Sequence, residues 1–203
     1  MILVPLLAVV GVASADEPGD AVLKGVAEKL AAYGDYKVEF SVTAKDMGTV
    51  GGSYVVSGDK YRIRLQKQEQ FSDGRNRYEV YPSDKEIVID AVDTSSHDIF
   101  SNPTKAFEFA PSEFESRLTD VSVNGGRRVR TVELTPRQGS GTAGIITLYV
   151  DAVSGLPAAL DYDYQGEKVS VKIDRIEKLD NVDKSLFIFD PMRYKNYEVI
   201  DFR

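Results

Sequence analysis

The sequence contains no cysteine, no tryptophan and a single histidine, His97. Without cysteine the chain can form no disulfides, so packing alone must hold its fold, and it offers no thiol for an acyl anchor. One histidine with scattered carboxylates supplies fewer ligands than a zinc site needs, and it gives no support to a Ser-His-Asp or Cys-His arrangement. We therefore expect no metal, no cofactor and no catalytic residues.

Basic residues are also scarce, because 25 Lys and Arg stand against 32 Asp and Glu and the net charge is -7. This balance lowers the attraction to phosphate backbones, so we do not expect nucleic-acid binding. Hydrophobic residues make up 42% of the 203 residues, which is enough for a sizeable core. One compact domain is the expected organisation.

A long hydrophobic run occurs only at the start, in MILVPLLAVVGVASA, residues 1–15. The run ends in Ala13-Ser14-Ala15, the small-x-small pattern that a signal peptidase accepts, and polar residues follow at once. It is shorter than a membrane span, which needs about 20 apolar residues. We predict a signal peptide over residues 1–15 and a single exported domain over residues 16–203. A buried N-terminal strand or helix is the alternative, because no positive residue precedes the run.

Two hydrophobic periodicities follow the signal. In GDAVLKGVAEKLAAYGD, apolar residues recur three and four apart between Asp20, the expected N-cap, and Gly34, the expected stop, which predicts an amphipathic helix. From Tyr36 the period becomes two, and it returns in short runs up to Ile173 with turn residues such as Ser72-Asp73-Gly74 between them. The pattern predicts a mainly β fold, an antiparallel meander that forms either a closed barrel or a strongly curled sheet.

Residues 97–120, HDIFSNPTKAFEFAPSEFESRLTD, fit neither face of a strand. Pro103 and Pro111 interrupt the segment, and we expect short helical turns after Asn102 and Ser112. Four aromatic residues lie in it: Phe100, Phe107, Phe109 and Phe114. They either fill an ordinary core, or they form a lid that encloses a pocket for an apolar ligand together with the curled sheet.

Three short motifs have a catalytic or cofactor interpretation beside an ordinary one. Ser72 and Asp73 could form a catalytic turn, but Asp73-Gly74 is also what a tight hairpin turn requires. Asp161 and Asp163 could form a carboxylate pair, although their alternation with apolar residues favours a solvated strand face. Residues 139–144 match G-x-G-x-x-G, yet a strand pattern follows, so a hairpin loop is favoured over a nucleotide site.

Several strings, in order along the chain, resemble the outer-membrane lipoprotein carrier family, the LolA-like proteins. They are AVLKGVAEKLAAYGDYKVEFS, SGDKYRIRL, FSDGRNRYEVYPSDKEI, LYVDAVSGLPAAL and SLFIFDPMRYKNYEVIDFR, and the last is most similar to carriers of the Bacteroidetes type. The resemblance implies an incomplete antiparallel β-barrel that is covered by an N-terminal helix and a short helical lid. It also implies a cavity that holds lipoprotein acyl chains in the periplasm.

The resemblance singles out the strand Lys60-Tyr61-Arg62-Ile63, where Tyr61 and Ile63 stand in for family cavity aromatics such as Trp. Ser57-Gly58 replace an Arg-Pro pair whose Arg ties sheet to lid, so the lid either opens more easily or closes through other contacts. Together with the strand pattern and the Phe-rich segment, this gives the expected lipid-binding residues: Tyr36, Val38, Phe40, Tyr54, Val56, Tyr61, Ile63, Leu65, Tyr78, Val80, Phe100, Phe107, Phe109, Phe114, Leu160 and Tyr162.

The function that the resemblance implies is a soluble, monomeric periplasmic carrier of acylated lipoproteins. It would take its cargo from an inner-membrane lipoprotein-releasing ABC transporter and deliver it to the outer membrane, to an acceptor where one exists. The alternative is a periplasmic sensor or regulatory domain of the same architecture that binds lipid or a protein partner. A hydrolase that uses Ser72 and Asp73, or Asp161 and Asp163, is a third and weaker hypothesis.

Overall fold

The protein is described from a computed structural model that covers residues 19–45, 48–124, 126–138, 144–164 and 166–203. The expected signal peptide lies outside these residues, as does most of the glycine-rich loop, residues 139–143, so both stay predictions. In the described ranges, no helix combines the length and the apolar character that crossing a membrane requires.

One α-helix and twelve strands form the regular framework of the described chain. The helix α1 is Gly19–Tyr33, and a short 3₁₀ helix is Lys184–Phe187. The strands β1 to β12, in chain order, are Asp35–Ala44, Gly48–Ser57, Lys60–Leu65, Gln68–Ser72, Asn76–Tyr81, Glu86–Ala91, Phe114–Asn124, Arg127–Pro136, Ile146–Asp151, Pro157–Tyr164, Glu167–Lys178 and Glu198–Asp201. All twelve belong to one sheet in the order β12-β6-β5-β4-β3-β2-β1-β11-β10-β9-β8-β7.

The sheet consists of two antiparallel meanders, β1 to β6 and β7 to β11, which meet where β1 pairs with β11. The last strand, β12, adds to β6 in parallel. The two edges of the sheet are therefore β7 and β12, and the sheet is open. The mainly β fold and the incomplete barrel are confirmed, and the closed barrel that the strand pattern also allowed is wrong.

The lining of one cavity shows that the sheet is strongly curled. A single cavity is lined by Glu79 of β5 and Tyr162 of β10, which are six strands apart in the sheet order. In a flat sheet this separation would be about 29 Å, because neighbouring strands lie about 4.8 Å apart. The sheet must therefore wrap around the cavity, and we call the wrapped side the inner face.

The helix α1 covers part of the inner face. Its apolar residues Val22, Leu23, Val26 and Leu30 are buried in the main core, as their spacing predicted. Gly34 follows the helix with φ of +69°, a left-handed conformation that glycine adopts without strain. Asp20 lies inside the first turn and is not the N-cap; its carboxylate accepts a hydrogen bond from the Ser116 hydroxyl of β7, which ties the helix to the sheet.

Residues 92–113, which we call the lid segment, carry the chain from β6 over the inner face to β7 at the opposite edge of the sheet. The segment folds as hydrogen-bonded turns: Lys105 N donates to Asn102 O at 3.1 Å, and Glu113 N donates to Ala110 O at 2.9 Å. The turns begin close to the expected positions, but they do not extend into helices. The predicted helical lid is corrected in this respect, and Phe114 is the first residue of β7.

A second, smaller core lies on the outer face behind β4 to β6. Phe71, Val80 and Ile87 are buried there, and the C-terminal segment covers them with Phe189 and Tyr194. The ring of Phe189 stacks on Tyr78 with centroids 4.7 Å apart and on Tyr194 at 5.5 Å. This part of the sheet is consequently covered on both faces, unlike an antiparallel sheet that exposes one face to solvent.

Candidate ligand-binding cavity

The main cavity has a volume of about 610 Å³ and lies on the inner face beneath the lid segment. One of its walls is apolar and comes from β1, β3, β10, β11 and the lid segment: Val42, Ala44, Ile63, Leu65, Phe100, Tyr162 and Val169. Ligand pockets for small molecules range from about 300 to 1,000 Å³ and are mostly apolar. The cavity therefore has the size and lining that an apolar ligand requires.

The rest of the lining is polar, and we call it the polar wall; it comes mainly from β4 and β5, with further residues from the lid segment and the start of β11. Arg77, Glu79 and Tyr81 alternate with the outward-packed residues of β5, and the register places Gln70 of β4 opposite Glu79. Further polar residues complete this wall: Gln68, Glu69, Asp98, Ser101 and Glu167. The cavity thus offers a hydrocarbon-like side and a hydrogen-bonding side within one volume.

Arg77 and Glu79 of the polar wall pair with each other. Arg77 Nε lies 3.0 Å from Glu79 Oε1, and Arg77 Nη2 lies 3.7 Å from Asp90 Oδ2. The Tyr81 hydroxyl donates to Glu79 Oε2 at 2.5 Å. Burial, together with this hydrogen bond and the charge of Glu79, raises the pKa of Tyr81 to about 12, so its hydroxyl stays neutral at physiological pH.

Tyr61 of β3 ties the lid segment to the sheet. Its hydroxyl donates to Ser101 O at 3.0 Å and accepts from Gln70 Nε2 at 3.1 Å. Burial raises the pKa of Tyr61 to about 12, which keeps the proton in place for donation. The sequence lacks the arginine that ties sheet to lid in the family. In this structure the Tyr61 hydroxyl makes a contact between lid and sheet.

A second anchor of the lid segment is His97. Its ring stacks on Phe109 with centroids 5.6 Å apart, and Phe114 meets it edge-on at 5.1 Å. His97 Nε2 lies 3.1 Å from Glu113 Oε2, and Nδ1 lies 3.3 Å from Lys105 O. The only histidine of the sequence is therefore a buried part of the lid's packing.

A smaller cavity of about 300 Å³ lies between α1 and the other end of the lid segment. Leu30, Tyr36, Val56 and Phe107 line its apolar part, and Glu108 adds a carboxylate. Burial, reinforced by the charge of Glu108, raises the pKa of Tyr36 above its usual range.

The expected lipid-binding residues fall into three groups. Five border the main cavity: Ile63, Leu65, Val80, Phe100 and Tyr162. Three border the smaller cavity: Tyr36, Val56 and Phe107. The others, apart from Tyr78, are buried in the inner core: Val38, Phe40, Tyr54, Tyr61, Phe109, Phe114 and Leu160.

Tyr78 is the exception, because it packs in the outer core against Phe189. Val80 belongs to the same outer core, although it also borders the main cavity. The placement of Tyr78 with the inner-face residues is therefore wrong. The sequence reasoning took the apolar residues of β5 as inward, whereas the inner face of β5 carries Arg77, Glu79 and Tyr81, none of which it had selected.

The residues of the catalytic hypotheses have structural partners. Ser72 Oγ accepts from Gly74 N at 3.1 Å, and Asp73 Oδ1 accepts from Asn76 N at 2.8 Å, as in a hairpin turn. Asp161 Oδ2 lies 2.9 Å from Lys168 Nζ. Asp163 Oδ1 accepts from Gly166 N at 2.7 Å, which closes the next hairpin. Each carboxylate thus has a role in holding the sheet or its turns.

Comparison of the sequence with protein-family models and with curated proteins gives no match. Comparison of the structure with solved structures gives many matches. An uncharacterized conserved protein from Thermus thermophilus has a TM-score of 0.61 at 10% identity, over 90% of this chain and 98% of that one. MucB, from Pseudomonas aeruginosa, has a TM-score of 0.50 at 16% identity, over 86% of this chain and 65% of that one.

A LolA superfamily protein from Nitrosomonas europaea is similar at a TM-score of 0.45 and 12% identity, over 86% of this chain and 99% of that one. At these identities the comparisons concern the fold alone, and the Bacteroidetes type is not confirmed. The geometry itself agrees with what the sequence resemblance implied: an open, curled antiparallel sheet with an N-terminal helix and a lid segment over its inner face. The chain shares its fold with the Thermus thermophilus protein, and this open, curled sheet is the architecture that the sequence resemblance implied.

Proposed function

We propose that the protein is a periplasmic carrier that binds the acyl chains of lipoproteins and shuttles them from the inner to the outer membrane. The observation that carries this proposal is the cavity of about 610 Å³ with an apolar wall beneath a lid. A carrier needs no covalent chemistry, only a space that shelters hydrocarbon from water.

The energetics suit a reversible carrier. Burying one methylene contributes about 0.8 kcal/mol, so sheltering roughly ten would contribute about 8 kcal/mol before ordering costs are subtracted. Opening the cavity at Phe100 and Ser101, while the buried remainder of the lid segment stays packed, requires the loss of the Tyr61–Ser101 hydrogen bond and of the contact between Phe100 and Phe40, whose ring centroids are 6.0 Å apart. A neutral hydrogen bond and one aromatic pair each contribute about 1 kcal/mol, so the cavity can open without unfolding the sheet.

The test is displacement of the fluorescent probe N-phenyl-1-naphthylamine from the protein by a synthetic triacylated lipopeptide. We expect the wild type to bind the probe and the lipopeptide to displace it. The variant Leu65→Glu places a carboxylate on the apolar wall and should lose both. Leu179→Glu is the matched control, because Leu179 is also half-buried but borders neither cavity. Absence of probe and lipopeptide binding in the wild type would refute the proposal.

A second candidate function is a sensor domain that binds a protein partner. The similarity to MucB favours it, because MucB has also been solved in complex with MucA. The two functions differ in what accompanies the protein when it is purified from its own cells. Native mass spectrometry should detect lipoprotein cargo for a carrier, and a defined protein partner without lipid for a sensor. For the carrier, the inner-membrane ABC transporter and an outer-membrane acceptor are the partners we propose, with the protein itself a monomer.

A further inference from the structure

The polar wall of the main cavity is not needed to bury a hydrocarbon chain. Among the described residues it carries three carboxylates and one guanidinium on the inner face: Glu79, Asp98, Glu167 and Arg77. Charged groups at the edge of a partly buried apolar space act strongly on any charge that enters with a ligand, because water screens them less there than in bulk. The balance of these charges therefore bears on which ligands can enter.

Arg77 is already neutralised by its neighbours. Its guanidinium lies 3.0 Å from Glu79 and 3.7 Å from Asp90, and its side chain is only 19% exposed. An anionic ligand would have to compete with both carboxylates for this guanidinium and would leave a carboxylate unpaired in a partly buried place. The guanidinium of the cavity lining is consequently a poor site for an anion.

The carboxylates of the wall are balanced only in part. Glu69 borders the cavity, but its carboxylate lies with Tyr194 on the outer face and pairs with Arg62 at 2.9 Å and with Arg64 at 3.4 Å, so it does not contribute charge to the wall. Asp98 accepts hydrogen bonds from Phe100 N at 3.0 Å and Ser101 Oγ at 2.9 Å, but these donors carry no charge.

Within the part of the chain that the structure describes, neither Asp98 nor Glu167 has an ion-pair partner. Both carboxylates line the cavity, and Arg77 is shared between Glu79 and Asp90. The wall is therefore negative toward the space in which a ligand's polar group would lie.

We propose that this wall makes the cavity selective for amphiphiles whose polar group is uncharged or cationic, and that it rejects anionic amphiphiles. The inference rests on the proposed function, since it concerns the same cavity. Gln68, Gln70 and Ser101 supply neutral hydrogen-bonding groups beside the apolar wall. They suit the esters and amides that join acyl chains to an acylated polypeptide. A phosphate, sulfate or carboxylate at that position meets the unpaired carboxylates instead. The wall would thus keep a carrier from filling with anionic membrane lipid.

The experiment compares three ligands with the same chain: hexadecylglycerol, hexadecyltrimethylammonium and hexadecyl sulfate. Each displaces N-phenyl-1-naphthylamine from the protein at pH 7.5, in low salt and below its micelle concentration. We expect the neutral and the cationic ligand to displace the probe at concentrations at least about tenfold lower than hexadecyl sulfate. Added salt should reduce this difference, because it screens the wall.

Glu79→Gln tests the charge directly, since it removes one carboxylate and leaves Arg77 with Asp90 as its charged partner at 3.7 Å, so that its guanidinium attracts an anion more strongly. We expect hexadecyl sulfate to bind about tenfold more tightly to this variant relative to hexadecylglycerol. Glu167→Gln removes a carboxylate of the same wall that has no described ion pair, and it should act in the same direction if Glu79→Gln fails to fold. Glu177→Gln is the control, because Glu177 pairs with Arg175 and borders neither cavity.

Equal or tighter binding of hexadecyl sulfate to the wild type would overturn the selectivity while leaving the carrier proposal standing. Unchanged sulfate binding in a folded Glu79→Gln or Glu167→Gln protein would overturn the assignment to this wall. Failure of all three ligands and of the probe to bind would overturn the proposed function and the selectivity together.

Discussion

A substitution at Phe100 should weaken the proposed ligand binding more than it lowers the stability of the fold. It lies in the lid segment, is half-buried, borders the main cavity and packs edge-on against Phe40 at 6.0 Å. Fully burying a Phe side chain contributes about 1.5–3 kcal/mol, and an aromatic pair adds about 0.5–1.5 kcal/mol. Because Phe100 is only half-buried, we expect Phe100→Glu to lower the free energy of unfolding by about 1–3 kcal/mol and to leave the protein folded.

The expected effect on binding is larger. If the Phe100 ring covers about three methylenes of a bound chain, its loss costs about 2.4 kcal/mol, or roughly 50-fold in affinity. The new carboxylate adds a desolvation penalty and lies beside a wall that is already negative. The assay is titration with N-phenyl-1-naphthylamine and displacement by a triacylated lipopeptide, with circular dichroism and a denaturant melt as checks on folding.

Phe189→Glu is the matched control. Phe189 is also a half-buried phenylalanine, but it stacks on Tyr78 and Tyr194 on the outer face. We expect a comparable loss of stability and an unchanged probe affinity. The reasoning is refuted if a folded Phe100→Glu protein binds as well as the wild type. It is equally refuted if Phe189→Glu weakens binding as much, since the effect would then follow from destabilisation.

Three further predictions concern other parts of the molecule. Tyr61→Phe removes the hydrogen bond to Ser101 and should cost about 1 kcal/mol, with faster amide hydrogen exchange in the lid segment as the specific readout; unchanged exchange would show that the contact does not hold the lid. Phe107→Glu puts a charge at a position that is only 2% exposed, so we expect a loss above about 3 kcal/mol or no folding, and a cooperative melt near that of the wild type would contradict this. Asp73→Asn should cost about 1 kcal/mol or less and leave lipopeptide binding intact. Burial acts to raise the pKa of Asp73, but hydrogen bonds led by Asn76 outweigh it and hold the pKa below its usual value. The carboxylate therefore stabilises the fold above about pH 4 and loses this effect as the pH falls through the lowered pKa, so denaturant melts of wild type and variant should converge in acid.

Local patterns in the sequence were sufficient for the elements themselves. The three-and-four spacing from Val22 to Leu30 and the glycine at position 34 predicted α1, because helix periodicity and a left-handed end residue are local properties. The period of two predicted the strands around Tyr36, Tyr61 and Ile146 for the same reason. The order of the strings along the chain also led to the expectation of an incomplete antiparallel barrel, which the open sheet confirms.

The faces of β5 were decided only by the tertiary structure. Alternation separates Tyr78 and Val80 from Arg77, Glu79 and Tyr81, but it does not say which set is inward when both faces are covered. The C-terminal segment, more than 100 residues later, buries the apolar set on the outer face, so the charged set lines the cavity. The hydrophobic alternation within β5 does not show which of its faces this distant segment covers.

The path of the lid segment was likewise decided by the fold. The sequence marked residues 97–120 as fitting no strand, which is correct for residues 97–113 and wrong for residues 114–120, because these belong to β7. It also did not separate cavity residues from core. The crossing from β6 to β7 brings Phe107 and Phe109 into the inner core and leaves Phe100 at the cavity. Composition determined that this protein buries many aromatic rings, and the curl of the sheet determined where space remains between them, because that space depends on strands that are distant in the chain.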